Sequence, residues 1–214
     1  KIVRPSRMDD RTLFRFKPGY HGIDYKPVLD WSAWNVQNDP LTEQLSAPGS
    51  GEDPTGGFAK AAEMCNNNGH CRKFDAGTMC PSFRITRDEI HLTRGRANTL
   101  RLALSGQLGP NALLSDEVAK ALDLCVSCKG CKRECPTGVD MARMKIEVQA
   151  ARAAKFGLSL HDRLVGWLPR YAPYAAKVPW LMNLRETSPV LKGWSERFAG
   201  FSAKRSLPKY FTVS

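Results

Sequence analysis

Four cysteines, Cys125, Cys128, Cys131 and Cys135, form a C-x2-C-x2-C-x3-C-P run, and three more, Cys65, Cys71 and Cys80, precede it. Thiolates at this spacing suit an iron–sulfur cubane: three sulfurs come from one tight loop, and a fourth, followed by proline, starts a helix and points toward a second cluster. The run therefore predicts a partner site, and CNNNGHCRKFDAGTMCP supplies it in altered form. Cys65 and Cys71 are spaced C-x5-C, Asn68 stands where a middle cysteine would be, and Cys80-Pro81 is the remote Cys-Pro. Applying the crossed arrangement, Cys125, Cys128, Cys131 and Cys80 complete one [4Fe–4S] site, while Cys65, Cys71 and Cys135 give only three ligands to the other. That second cluster is either [3Fe–4S], or [4Fe–4S] with Asn68, His70 or a solvent molecule as the fourth ligand. Zinc would favour two C-x2-C pairs a dozen or more residues apart, with no third cysteine in the loop.

Other residues could tune such clusters. Asn66 and Asn67 offer amide donors to cluster sulfurs, or else form a plain polar turn. Arg84, Arg87, Arg94, Arg96 and Arg101 fall in one segment, and Lys129, Lys132 and Arg133 sit in the cysteine loop itself. Thiolate-ligated clusters are anionic, so nearby cations stabilise them and raise their potentials. Arg94, Arg96, Lys129 and Lys132 are the candidates for this role.

The elements that must position these residues read as helices. Phe58–Met64 is a short helical stretch delivering Cys65. A helix is predicted from Arg87 through Gln107, capped by Ser82 or Thr86, with Ile90, Leu92, Ala97, Leu100, Leu102 and Leu104 at mostly helical spacing. Ser115-Asp116-Glu117 opens another, which stops at Cys125. A further helix begins near Val139–Asp140 and extends to about Lys155. Residues 157–214 contain prolines at 169, 173, 179, 189 and 208, which limit any helices there to short ones. Residues 1–57 mix Phe14, Phe16, Tyr20, Tyr25, Trp31 and Trp34 with turn formers, an extended arm ending in a loop at Ser46–Gly57, and its aromatics need something to pack against.

Of the 214 residues, 42% are apolar, enough for one compact domain with extensions. The odd cysteine count and the clustered spacing exclude a secreted disulfide scaffold and point to a reducing compartment. No run of about eighteen apolar residues is present, and the start lacks an apolar leader, so the chain reads as a soluble segment cut from a longer polypeptide. The net charge is +11, and residues 151–214 carry eleven basic against three acidic side chains. That tail, with Trp167, Tyr171, Tyr174, Trp180, Trp194 and Phe201, suits either a neighbouring protein domain or an anionic membrane surface.

GTMCPSFRITRDEIHLTRGRANTLR and LDLCVSCKGCKRECPTGVDMARMK closely resemble the iron–sulfur segment of fused FAD-linked oxidoreductases, a family that includes D-2-hydroxyglutarate and D-lactate dehydrogenases. The match is strongest over residues 58–156. Lys1–Trp34 resembles the connector after the flavin domain, and residues 157–214 resemble the stretch before a cysteine-rich C-terminal domain. The resemblance implies a mainly α chain. An α-helical ferredoxin-like domain at 58–156 would surround two Fe–S clusters, with an extended connector at 1–57 and a basic, Pro-interrupted helical tail at 157–214. The C-x5-C spacing is also that of the three-iron site in the iron–sulfur subunit of succinate dehydrogenase. The implied role is electron transfer from FAD, held in a partner dehydrogenase domain or subunit, through two clusters to a cysteine-rich domain or a quinone. No phosphate-cradling glycine motif at a strand-to-helix turn is present, so substrate chemistry is not expected of this segment alone.

The competing readings are an Fe–S-stabilised nucleic-acid-binding module and a redox sensor. Paired cluster motifs favour a wire, and no nucleic-acid partner is expected. The expected location is cytoplasmic, with peripheral contact at the inner face of a membrane as its extension.

Overall fold

The computed structural model describes residues 22–34 and 54–211, and all of the regular structure there is helical. The chain divides into two compact units, Lys1–Ala154 and Lys155–Ser214. In the first, α1 (Phe58–Glu63), α2 (Pro81–Thr86), α3 (Thr93–Leu104), α4 (Asp116–Asp123), α5 (Gly130–Glu134) and α6 (Met141–Phe156) are joined by loops that carry most of the cysteines. α6 runs two residues past the division between the units.

α3 is the central element, packed against α1 and α4. Its buried positions, Thr93, Arg96, Ala97, Leu100, Ala103 and Leu104, recur at three- and four-residue steps and make one stripe. Leu100 and Leu104 are fully enclosed with Phe58, Leu92 and Val118. Each such side chain contributes roughly 1.5–3 kcal/mol of burial free energy.

The helix expected over Arg87–Gln107 is broken into pieces. α2 ends at Arg87, whose φ of 59° stops the helical path, and Asp88 then caps a short 3-10 turn at Glu89–His91 by accepting the Ile90 N–H. Thus neither Ser82 nor Thr86 caps α3. Gly95 explains the tight junction, since a Cβ there would collide with the Glu89 carbonyl. α4 and α6 follow their caps: Ser115 Oγ accepts the Val118 N–H at 3.3 Å, and Asp140 Oδ1 accepts the Arg143 N–H at 3.1 Å.

Residues 22–34 pack within the first unit. The Trp31 and Phe58 rings lie 5.1 Å apart, and Trp31 is 3% exposed. Tyr25, Trp31 and Trp34 therefore find partners inside this chain, whereas Phe14, Phe16, Tyr20 and residues 46–53 lie outside the described residues. The anchor is Glu147, fully buried on α6 beside Met144 and Val148. Its carboxylate accepts the Val28 and Leu29 N–H groups at 2.9 Å, the Trp31 indole N–H at 2.8 Å and the Tyr25 hydroxyl at 3.0 Å. Burial, followed by the hydrogen bond to Glu147 and its charge, pushes the Tyr25 hydroxyl pKa up, so this donor keeps its proton.

The second unit holds α7 (Leu160–Gly166), α8 (Leu168–Ala175), α9 (Pro179–Thr187) and α10 (Pro189–Ala199), three of them started by proline in the first turn. Arg185 ties α9 to α10 and to the C-terminal strand-free segment through Ser195 Oγ at 2.6 Å and the Ser202 carbonyl at 2.8 Å. Trp167, Tyr174, Trp180 and Trp194 are exposed. No helix among the described residues is long and apolar enough to cross a membrane.

Glu147→Ala should cost about 3 kcal/mol or more, because it strands buried donors that a charged acceptor now satisfies. A lower urea midpoint, with faster amide exchange at Val28 and Leu29, is expected; an unchanged midpoint would show that the carboxylate does not anchor this segment.

Candidate metal centre

The two cysteine segments meet at Cys80. Cys80 is the residue before α2, with a φ of 52°, and Pro81 opens the helix behind it. Its sulfur accepts the Thr93 N–H at 3.1 Å and contacts the Thr93 hydroxyl at the same distance. Cys80 also lines one cavity with Cys125, Cys128 and Cys131, the four cysteines expected for the first cluster. Thr93, Arg96, Lys129 and Met141 complete that wall. Among the described residues no three His, Cys, Asp or Glu side chains converge on a single-ion site.

The donors around this cavity suit thiolate sulfur. The Met141 N–H, at the start of α6, reaches Cys131 Sγ at 3.3 Å. Burial raises the Cys131 thiol pKa, and this N–H opposes the rise. Cys71 and Cys80 share a hydrogen bond that pushes the Cys71 thiol up and the Cys80 thiol down. The Thr93 hydroxyl and N–H, and then the Arg96 charge, add to the lowering at Cys80. Arg96 is 3% exposed, held by Nε to the Ala121 carbonyl at 2.8 Å and by Nη2 to Ser82 Oγ at 2.9 Å.

Ser127 and Lys129 on either side of Cys128 adopt φ values of 53° and 59°. A left-handed conformation costs a side-chain-bearing residue roughly 1–2 kcal/mol, so the loop around the cavity is held in a form that local preference alone would not select.

Cys65 and Cys71, both buried, form the second thiol group, close enough that charge on Cys65 opposes ionisation of Cys71. Arg94 contributes here through its backbone N–H, which stabilises ionised Cys71, while its guanidinium pairs with Glu89 at 2.6 Å. Asn68 is engaged locally: its amide donates to Asn66 Oδ1 at 2.6 Å, and its Oδ1 accepts the His70 N–H at 2.8 Å. Asn67 Oδ1 accepts from Asn98 at 2.9 Å. The three asparagines thus build a polar turn. Arg101 Nη2 fixes the turn's entry by donating to the Cys65 carbonyl at 2.7 Å.

Cys135 follows α5 and is succeeded by a turn at Pro136–Thr137, not by a helix, which begins only at Met141. Its sulfur contacts the Thr137 hydroxyl at 3.2 Å. Pro136 therefore does what Pro81 does not: it turns the chain after the cysteine instead of starting a helix. Lys132 pairs with Asp140 at 3.7 Å.

Sequence reasoning missed Thr93, Glu134 and Glu147. Thr93 and Glu147 occupy otherwise apolar helical stripes, a signal present in the periodicity of α3 and α6. Glu134 carries no such signal. Its carboxyl is held down to about 2, first by the Thr78 hydroxyl and then by the N–H groups of Thr78 and Met79.

Thr93→Val keeps the N–H donor and removes the hydroxyl from Cys80. The Cys80 thiol pKa should rise, read from ultraviolet thiolate absorbance against a Cys80→Ala reference in the metal-free chain; an identical titration would mean the hydroxyl does not face the sulfur.

Comparison with known families matches residues 61–139 to the 4Fe–4S dicluster domain. D-2-hydroxyglutarate dehydrogenases of Escherichia coli and Pantoea ananatis are each 28% identical over 176 residues, 66% of this chain and 17% of the relative. That of Pseudomonas putida is 28% identical over 155 residues, 58% of this chain and 15% of the relative. The chain thus spans about a sixth of the length of these curated relatives, and no solved structure matches it significantly. Residues 61–139, which hold all seven cysteines, are thus similar to the 4Fe–4S dicluster domain, in a chain similar over 176 residues to D-2-hydroxyglutarate dehydrogenases.

Proposed function

We propose that this chain carries electrons singly from a flavin in a partner dehydrogenase domain, across two iron–sulfur sites, to a downstream acceptor. The parent protein would oxidise a D-2-hydroxy acid, a reading supported by the names of the relatives. The observation that carries the proposal is the cavity lined by Cys80, Cys125, Cys128 and Cys131.

These four cysteines are the proposed ligands of a [4Fe–4S] cluster. Cys65, Cys71 and Cys135 are the proposed ligands of the second, with Asn68 in place of a fourth cysteine. The second is either [3Fe–4S] or a [4Fe–4S] cube completed by Asn68, His70 or solvent. When bound, such clusters supply one-electron redox chemistry, which divides a flavin's two-electron change into single steps.

The chain's own groups then act on the thiolates. Thr93 donates to Cys80, the Met141 N–H donates to Cys131, and buried Arg96 places a cation behind Cys80. Each favours the ionised sulfur that ligation needs. Hydrogen bonds and positive charge also stabilise added electrons, raising the potential of the site they face.

The acceptor is either a cysteine-rich domain or a quinone. The exposed aromatic residues of the second unit are proposed to pack on the flavin domain of the parent protein, with peripheral membrane contact as the other occupant. A reducing, cytoplasmic setting fits the free cysteines.

Anaerobic reconstitution with iron and sulfide should give a brown protein that dithionite bleaches. About seven irons with an oxidised-state EPR signal would identify [3Fe–4S] at the second site, and about eight with a silent oxidised state would identify two cubes. Cys128→Ala should remove the first cluster, about four irons, and spare the second. A colourless, iron-free protein would sink the proposal.

A further inference from the structure

Glu134 stands at the end of α5, one residue before Cys135. Its Oε1 accepts the Thr78 N–H at 2.7 Å and the Thr78 hydroxyl at 2.6 Å, and its Oε2 accepts the Met79 N–H at 2.8 Å. Thr78 and Met79 are the two residues immediately ahead of Cys80. One side chain of the second cysteine segment therefore holds the backbone of the first, across 56 positions of sequence.

The surrounding residues are shaped to this contact. A Cβ at position 77 would lie 2.7 Å from Glu134 Oε2 and 3.0 Å from Asp75 Oδ1, so a glycine there leaves room for the carboxylate. A Cβ at position 130 would lie 3.0 Å from Thr78 Oγ1 and 3.3 Å from the Thr78 carbonyl, so Gly130 lets α5 approach the same backbone. Arg84 grips the opposite side of the segment through the carbonyls of Asp75 and Gly77. Residues 74–80 form neither helix nor strand, so no helical turn or strand ladder takes their N–H groups. A charged acceptor takes two of them in a geometry that fixes both position and direction.

We propose that Glu134 is a positioning residue for the metal centre: its carboxylate locks Thr78 and Met79 so that Cys80 presents its sulfur to the loop of Cys125, Cys128 and Cys131. This rests on the cluster reading above. Glu134 also places a fixed negative charge near that site, which disfavours an added electron there.

The test uses the full chain, reconstituted with iron and sulfide, and follows iron release to a chelator together with an EPR redox titration. Glu134→Gln keeps shape and removes charge. It should release the iron of one cluster about tenfold faster, the scale seen when groups supporting metal ligands are removed. It should also raise the reduction potential of that cluster. Gly77→Ala leaves the carboxylate in the sequence but pushes it from its seat, and should speed release in the same way. Glu134→Asp, one methylene short but still charged, should speed release without raising the potential. If Glu134→Gln fails to fold, Thr78→Val, which removes one donor only, should give a smaller acceleration. Wild-type release rates and potentials in Glu134→Gln and Gly77→Ala would overturn the proposal alone. A wild type that takes up no iron would overturn the cluster reading and the proposal together.

Discussion

A sulfur that must ionise away from water needs donors and positive charge already in place, because desolvation favours the neutral thiol. Cys80 is 5% exposed, and its compensation is built into the first turn of α3: the Thr93 N–H and hydroxyl on the sulfur, and the Arg96 guanidinium behind it. That turn is where it is because the lower part of the same stripe, Leu100 and Leu104, is packed among Phe58 and Val118. The apolar core therefore sets the electrostatics of the metal centre. Without the α1–α3–α4 packing, Thr93 and Arg96 would have no fixed relation to the sulfur they serve.

A few charged side chains bridge distant segments of this unit. Glu147 joins α6 to residues 25–31, and Glu134 joins α5 to the loop before Cys80. Arg96 joins α3 to the carbonyl that closes α4 and to Ser82 on α2. In each case one side chain takes two or more partners from other segments, which specifies a single arrangement where apolar contacts alone would tolerate several. The N-terminal segment is thereby fastened to the helix that follows the last cysteine, so the cysteine segments are enclosed by ties on both flanks.

Much of the candidate site was legible from spacing. The C-x2-C-x2-C loop, the remote Cys80-Pro81 and the need for two thiol groups follow from cysteine positions, because ligand spacing in a tight loop is a property of the backbone itself. The cap at Ser115 and the helix start near Asp140 were legible for the same reason, being set over a few residues. The break in the expected Arg87–Gln107 helix was not, since it depends on the left-handed Arg87 and on the close approach that Gly95 allows to the Glu89 carbonyl. Cys135-Pro136 has the same local signature as Cys80-Pro81, yet one ends a helix in a turn and the other begins one.

By itself, then, the sequence determined what is local: the thiol chemistry, the mainly helical character, the short proline-started helices of the tail and the cationic candidates near the cysteines. Only the tertiary structure decided which of those groups act on one another. It placed the guanidinium of Arg96 beside Cys80 but turned that of Arg94 to Glu89, closed Asn66 and Asn68 into a local turn, and paired Asn67 with Asn98. It also made Glu134 and Glu147 into clamps. The physical reason is range. Ligand spacing and capping are set within a few residues, whereas the carboxylates of Glu134 and Glu147 acquire their roles from partners that folding brings to them across 55 to 122 positions of chain.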